Sequence, residues 1–359
     1  MSTTTLNNDL CVSLEEAEHL ILNNRDVCFF LEGPPGMGKT SLKKRMQEVL
    51  GDTYDYAYLD CAATDFSGLG FPGVDREKGI AQFFPMEVLK LHTGKPVFYM
   101  LDEFTKAPGP VQTMLHTMLE SNDRRVGDRF MHKDSIVTMS GNLGSNGLGD
   151  VMKAHTGNRV IRVRVRQPTA DEWVHNFAIK AGIEPVLMAW VTENSHCMAS
   201  YLDGNQDSNP YIFNPKFQQR AFVSGRSLER ASGIVRNREG YSTNALTVAL
   251  AGCVGEAAGK SIEAFVAYQD ELPPREVILR DPKGAPLPTT PGACAVMVFS
   301  AISALDKNNA TPLMTYIQRL DPVWQSCFAI NAARDPAKQP IVFSNATFSN
   351  WLRENQDLL

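Results

Sequence analysis

The residues with the clearest chemistry are Gly33-Pro34-Pro35-Gly36-Met37-Gly38-Lys39-Thr40-Ser41, of the form G-x-x-x-x-G-K-T. Glycines at 33, 36 and 38 let the backbone turn tightly and aim successive N–H groups inward, a concave anion site at the positive end of a helix. Pro34 and Pro35 stiffen that turn. Lys39 would then reach the β- and γ-phosphates of a nucleoside triphosphate, and the Thr40 hydroxyl would sit on Mg2+. A chance glycine turn could carry the same letters. The context argues otherwise: the apolar run Val27 to Leu31 leads in, and a helix-compatible segment with Leu42, Met46, Val49 and Leu50 follows. Strand, loop and helix are the setting that triphosphate binding requires.

Two further apolar runs end in polar groups suited to the same chemistry. Val97-Phe98-Tyr99-Met100-Leu101 is followed by Asp102 and Glu103. An acid at the carboxyl end of a neighbouring strand falls beside the metal site, so Asp102 would hold Mg2+ through water and Glu103 would polarise the attacking water. Taken alone, such a pair is more often a solvated strand end; downstream of a phosphate loop the functional reading gains. Ile136-Val137-Thr138-Met139-Ser140-Gly141 leads to Asn142. Its amide could donate to the γ-phosphate or orient the lytic water without adding charge, whereas the commonest use of Gly-Asn is a turn.

These groups need elements to position them. Apolar strands at Val27–Leu31, Tyr56–Asp60, Val97–Leu101, Ile136–Ser140 and Val160–Val165 alternate with helix-like segments, which predicts an α/β core, a parallel sheet covered by helices on both faces. From Pro168 to Asn237 the pattern is helical, with Trp173, Phe177, Val186, Leu187 and Trp190 at helix spacing. Beyond Glu239 the sequence predicts a small-residue helix over Ala245–Ala267, a Pro-rich turn at Leu272-Pro273-Pro274, a loop at Asp281–Pro291 and short helices ending near Trp351 and Leu352. At 359 residues, two or three domains are expected, with boundaries at 1–167, 168–240 and 241–359.

Composition excludes several classes. A hydrophobic fraction of 43% and a charged fraction of 21% describe a globular chain, and a net charge of −5 does not suit a protein that coats nucleic acid electrostatically. Cys11, Cys28, Cys61, Cys197, Cys253, Cys294 and Cys327 form no C-x-x-C pair, and the histidines (19, 92, 116, 132, 155, 175, 196) show no ligand spacing, so reduced thiols and no structural zinc are expected. Met1 to Asn8 lacks the basic and apolar blocks of a signal peptide, and no apolar stretch is long enough to span a bilayer, so the expected location is the cytoplasm, with no membrane partner.

Gly33–Thr40, Leu101-Asp102-Glu103, the segment Pro110–Leu115 with Met118-Leu119-Glu120, and Ser140-Gly141-Asn142 together resemble an AAA+ ATPase, and within that superfamily the MoxR-like and dynein-related group. In that family these positions are Walker A, Walker B, the helix after it, and sensor 1. Asp65-Phe66-Ser67-Gly68-Leu69-Gly70-Phe71-Pro72-Gly73 is similar to the group's insert after the second strand, which projects into a central pore, and Arg125–Phe130 to its hairpin before sensor 1. The resemblance implies an arginine finger at Arg159, reaching a neighbouring subunit's nucleotide, and a sensor 2 at Arg226 that opens a helix of an α-helical lid over 168–240. The family often has proline where this chain has Gly225. Arg162, Arg164 and Arg166 alternate after Arg159, a pattern that one solvated face of an edge strand would also give. The mainly helical region 241–359 is similar to extensions on some phage-borne or mobile-element members.

The resemblance implies an ATPase that hydrolyses ATP to ADP and phosphate and works as a homo-oligomeric ring, a hexamer, on a protein client. Members of the MoxR-like group are often paired with a von Willebrand A-type partner. A second reading is a ring translocase on DNA, with Arg125, Arg129 and Lys133 tracking phosphates. A third is a monomeric P-loop switch or small-molecule kinase; the pairing of Glu103 with Asn142 argues against a kinase, which would also need a phosphoryl acceptor site that the sequence does not offer. Met114, Leu115, Met118 and Leu119 are expected in the core. Phe66, Phe71, Phe83 and Phe84 are either anchors of the insert or aromatics presented to a threaded polymer.

Overall fold

The computed structural model describes residues 10–34, 36–120, 122–142, 152, 154–217 and 219–355. The chain divides into two units, Met1–Gln167 and Pro168–Leu359. In the first, the strands are β1 (Cys28–Glu32), β2 (Asp55–Asp60), β3 (Gly70–Asp75), β4 (Ile80–Pro85), β5 (Val97–Asp102), β6 (Arg125–Val126), β7 (Arg129–Phe130), β8 (Ile136–Gly141) and β9 (Val160–Arg164). Its helices are α1 (Leu14–Asn23), α2 (Leu42–Leu50), α3 (Gly109–His116) and α4 (Ala154–Gly157).

All five expected strands form one parallel sheet in the order β2-β5-β8-β1-β9. Every residue of β5 and β8 is buried, as continuous apolar runs are when helices cover both faces of a parallel sheet. The strand period of two divides β1 between the layers. Phe29 and Leu31 join Ala17 and Ile21 of α1 and Leu42 and Met46 of α2, while Cys28 and Phe30 join Val111 and Leu115 of α3. Leu115, Met118 and Leu119 are buried in the second layer and Met114 packs against it, as expected.

Two small hairpins decorate this sheet. The insert after β2 is the antiparallel pair β3–β4, with Phe71 opposite Phe84, and Arg125–Phe130 is the pair β6–β7. The hairpins are fastened to one another: the Phe83 ring lies where a Cβ on Gly127 would come within 2.7 Å, and the Arg129 guanidinium donates to Phe83 O at 3.0 Å and to Gln82 Oε1 at 3.2 Å.

The second unit is helical among its described residues: α5 (Ala170–Trp173), α6 (Pro185–Glu193), α7 (Gly225–Arg236), α8 (Thr243–Val254), α9 (Glu256–Glu271), α10 (Arg275–Arg280), α11 (Pro291–Ala304), α12 (Ala310–Ile317), α13 (Pro322–Arg334), α14 (Gln339–Ser344) and α15 (Ala346–Glu354). A single core runs through it, from Trp173, Trp190 and Leu228 to Ile262, Val298 and Trp351, so helices on either side of residue 240 share their apolar contacts. The single helix expected over Ala245–Ala267 is instead two, α8 and α9, broken at Gly255. That residue has φ 92, a left-handed value that stops the helix, and the chain then folds back. The small residues serve close contact between the two helices: a Cβ on Gly259 would lie 2.6 Å from Ala251 N.

Candidate functional site

β1 delivers the chain into the glycine loop at the carboxyl edge of the sheet. The loop is tied to β8 by Gly33 N–H donating to Gly141 O at 3.4 Å. Gly33 is required by close approach, since a Cβ there would meet Met37 Sδ at 2.2 Å and Val165 O at 2.7 Å. Gly36 and Gly38 are required by conformation, with φ of 78 and 98. Gly38 leads into a single 3₁₀ turn, Lys39–Ser41, that continues as α2, and Ser41 Oγ closes the entry by donating to Gly38 O at 2.6 Å. Pro35 and the side chain of Thr40 lie outside the described residues.

Lys39 is buried, 7% exposed, and its ammonium sits in the loop's concavity. It donates to Gly33 O at 2.6 Å, to Pro34 O at 3.0 Å and to Asn142 Oδ1 at 3.4 Å. A tight glycine turn walled by a buried cation fits a polyphosphate.

The strand order explains the third of those contacts. Asp102 and Glu103 were expected on a strand neighbouring the loop's own; β5 instead lies one strand further away, with β8 between it and β1. Parallel strands stand about 4.8 Å apart, so the end of β8 occupies the gap between loop and acids. Asn142 fills that place. Its Nδ2 donates to Glu103 Oε1 at 2.9 Å while its Oδ1 faces Lys39, the one amide orientation that suits both a cation and a carboxylate. Three side chains expected from sequence, on three separate elements, are thus joined in one hydrogen-bonded line.

Asp102 is 9% exposed and held on both oxygens. Tyr58 of β2 donates its hydroxyl to Oδ2 at 2.8 Å, and Oδ1 accepts from Ser140 Oγ and from Glu103 N–H at 3.2 Å. A buried, oriented carboxylate of this kind is a hard oxygen donor suited to Mg2+ held through water. Neither Tyr58 nor Ser140 stood out for this role in the sequence. The available signal was a hydroxyl recurring at period two with Asn142 in an otherwise apolar strand. Glu103 itself has φ 50 and ψ 38, a left-handed conformation rare for a side chain of its size, and Lys106 Nζ lies 2.8 Å from its Oε2.

The two expected arginines are placed differently. Arg159 stands between α4 and β9, exposed and ion-paired with Glu120. Arg226 is exposed in the first turn of α7, whose start is fixed by Ser224 and Ser227 in a reciprocal cap. A cation there opposes the helix dipole, so its position does nothing for the helix. Among the basic residues considered for phosphate tracking, Arg129 is committed to β4 as described, and Arg125 is paired with Asp123 at 3.6 Å. Phe83 is a buried anchor, whereas Phe66, Phe71 and Phe84 are exposed, the last two stacked at 6.2 Å. Among the described residues no three His, Cys, Asp or Glu side chains gather as a metal cluster, and no helix is long and apolar enough to cross a membrane. Burial pushes the thiols of Cys28 and Cys197 up to about 11 and about 12, far from reactive values.

No curated protein is significantly similar to the chain. Among solved structures, a point mutant of RuvB from Thermotoga maritima shares 16% identity at a TM-score of 0.35, covering 75% of this chain and 73% of that one. A protein assigned as an ATPase from Cytophaga hutchinsonii shares 13% at 0.35, covering 72% and 90%. Hsp104, in a closed state with ATPγS and casein, shares 18% at 0.33, covering 48% of this chain and 35% of that one. At such scores none of the three bears on the function. The family comparison does: residues 28–135 match the AAA domain of the dynein-related subfamily, over the stretch that holds the loop, Asp102 and Glu103. The segment from Cys28 to Ser135 is therefore an AAA domain of the dynein-related subfamily, the nucleotide-hydrolysing fold of the AAA+ ATPases.

Proposed function

We propose that this chain is a Mg2+-dependent ATPase that acts as a homo-oligomeric ring, a hexamer of the MoxR-like kind, to remodel a protein client in the cytoplasm. The observation that carries the reading is the line Lys39–Asn142–Glu103 across the carboxyl ends of β1, β8 and β5. Gly33 to Ser41 cradle the phosphates, with Lys39 on the β- and γ-groups. Thr40 and Asp102 hold Mg2+, which when bound offsets the charge of those groups. Glu103 accepts the proton of the attacking water as its oxygen bonds to the γ-phosphorus and the bond to the β–γ bridging oxygen breaks, leaving ADP and phosphate. Asn142 keeps the carboxylate aimed without adding a charge.

Arg159 completes the site of the next subunit, where a guanidinium stabilises charge on the transferring group. Arg226, in a lid over 168–240, senses the nucleotide, and region 241–359 is an extension of that lid. A von Willebrand A-type partner suits the group. The reading as a DNA translocase loses support because Arg129 is occupied within the fold. The reading as a switch or kinase loses support from the pairing of Glu103 with Asn142.

The test mixes two variants, Glu103→Gln and Arg159→Ala, each expected to keep only a small residual ATPase alone. In a shared-site ring mixed at equal amounts, about a quarter of the sites join an intact Glu103 to a neighbour's intact Arg159, so about a quarter of parental activity returns. Parental activity in Arg159→Ala protein that sediments as a monomer would overturn the shared site.

A further inference from the structure

We propose that Lys106 is a positioning residue for Glu103, an inference that rests on the reading of Glu103 as the base. Glu103 and Lys90 are the two non-glycine residues with left-handed backbone among those described. Such a residue stores of order 1 kcal/mol of strain and persists only where its surroundings fix it. Here they do. The chain after Glu103 closes a 3₁₀ turn, with Lys106 N–H donating to Glu103 O at 2.9 Å, and the turn is pinned by the burial of Phe104 and Thr105. From α3, Gln112 Nε2 donates to Ala107 O at 2.9 Å and holds the turn's far side.

The consequence is that Lys106 and Glu103 emerge on the same side. The carboxylate is gripped at both oxygens: Oε1 by the Asn142 amide at 2.9 Å, and Oε2 by the Lys106 ammonium at 2.8 Å. Oε2 is shielded from solvent, and the Lys106 ammonium beside it is the group that offsets its burial. Asp102, the adjacent residue, is a second carboxylate, and the cation also moderates their repulsion. An exposed pair three residues apart ordinarily contributes little to stability. This pair differs because one partner is anchored in a strained turn at the reacting centre, where holding an orientation is worth more than the bond itself.

Steady-state ATP hydrolysis by the full chain tests this with Lys106→Met, Lys106→Arg, Glu103→Gln and the double variant. Lys106→Met is expected to lower kcat about tenfold while KM for ATP stays within about twofold and the melting temperature is unchanged, and Lys106→Arg to restore most of the loss. Because Lys106 acts through Glu103, the double variant should be no slower than Glu103→Gln alone. Unchanged or raised kcat in Lys106→Met, or a full further loss in the double variant, overturns the proposal. Parental kcat in Glu103→Gln would instead overturn the role of Glu103 itself.

Discussion

Asn142→Ala removes the amide that links the loop to the acid, and its cost follows from the two bonds it makes. The bond to Glu103 is 2.9 Å long and ends on a charge, which corresponds to about 1.5–3 kcal/mol. The bond from Lys39, at 3.4 Å, is near the limit of a useful contact and adds little. If the first bond is realised in the transition state, its loss lowers kcat roughly 10–150-fold. On the proposed function, affinity for ATP rests on the loop amides and Lys39, so KM should move by less than about threefold. Asn142→Asp is harsher. It would set two carboxylates 2.9 Å apart, a repulsion on the order of 6 kcal/mol at an effective dielectric of about 20, and one of them must swing out of line. Its kcat should fall below that of Asn142→Ala, and its KM should rise because a negative charge now faces the γ-phosphate. Phosphate release measured over a range of MgATP separates the two parameters, with thermal melts confirming that both variants fold. An Asn142→Ala protein within twofold of the parent kcat, or an aspartate variant faster than the alanine one, would refute the reasoning.

Two further outcomes concern stability. Gly259→Ala should destabilise by about 1–3 kcal/mol in denaturant titration despite alanine's better helix propensity, because the new methyl meets backbone atoms of Ala251 at 2.6 and 2.8 Å that cannot yield. Gly252→Ala, on the facing helix with nothing within 4 Å, should instead gain up to about 1 kcal/mol. The thiols of buried Cys28 and Cys197 and of half-buried Cys327 are raised by desolvation from 9.0 to about 11, about 12 and about 12. A raised folded value means that the unfolded chain loses the proton first, so this contribution is intact below pH 9 and is lost as pH rises towards 12, by about 1.4 kcal/mol per pH unit per thiol. Unfolding midpoints should be flat up to about pH 8.5 and fall beyond it; a flat profile to pH 11 would show that these thiols ionise as easily folded as unfolded.

The central strands were legible because each is a short, mainly apolar run, and a run with no charged interruption, such as Val97–Leu101 or Ile136–Met139, has to be central. The hairpin β3–β4 was not. Gly70, Pro72, Gly73 and Pro85 break its alternation, and the two glycines are there because ring and backbone lie where side chains would otherwise be: a Cβ on Gly73 would sit 2.3 Å from the Phe84 ring. Nor does local sequence separate Arg124 from Arg125. The first is 8% exposed and donates to the carbonyls of Ser135 at 2.8 Å and Asp26 at 2.5 Å, while the second faces the surface beside Asp123. That difference is made by elements distant in the chain, which no spacing encodes.

The site divides along the same line. Glycine loop, acid pair and amide each announce themselves as a strand ending in a polar group, so the order of the parts along the chain was readable. Their lateral order was not, and the proposed chemistry depends on it. With β5 beside β1, the acids would abut the phosphates and leave Asn142 outside the line. With β8 inserted, a neutral amide separates Lys39 from Glu103, so the cation stays available to phosphate instead of being neutralised by the carboxylate. A direct Lys39–Glu103 pair would have to be broken for every ATP bound, at the cost of a charge-assisted bond on each turnover. The inserted strand removes that competition, and the left-handed turn at Glu103 lets a different lysine, Lys106, balance the carboxylate from the opposite side.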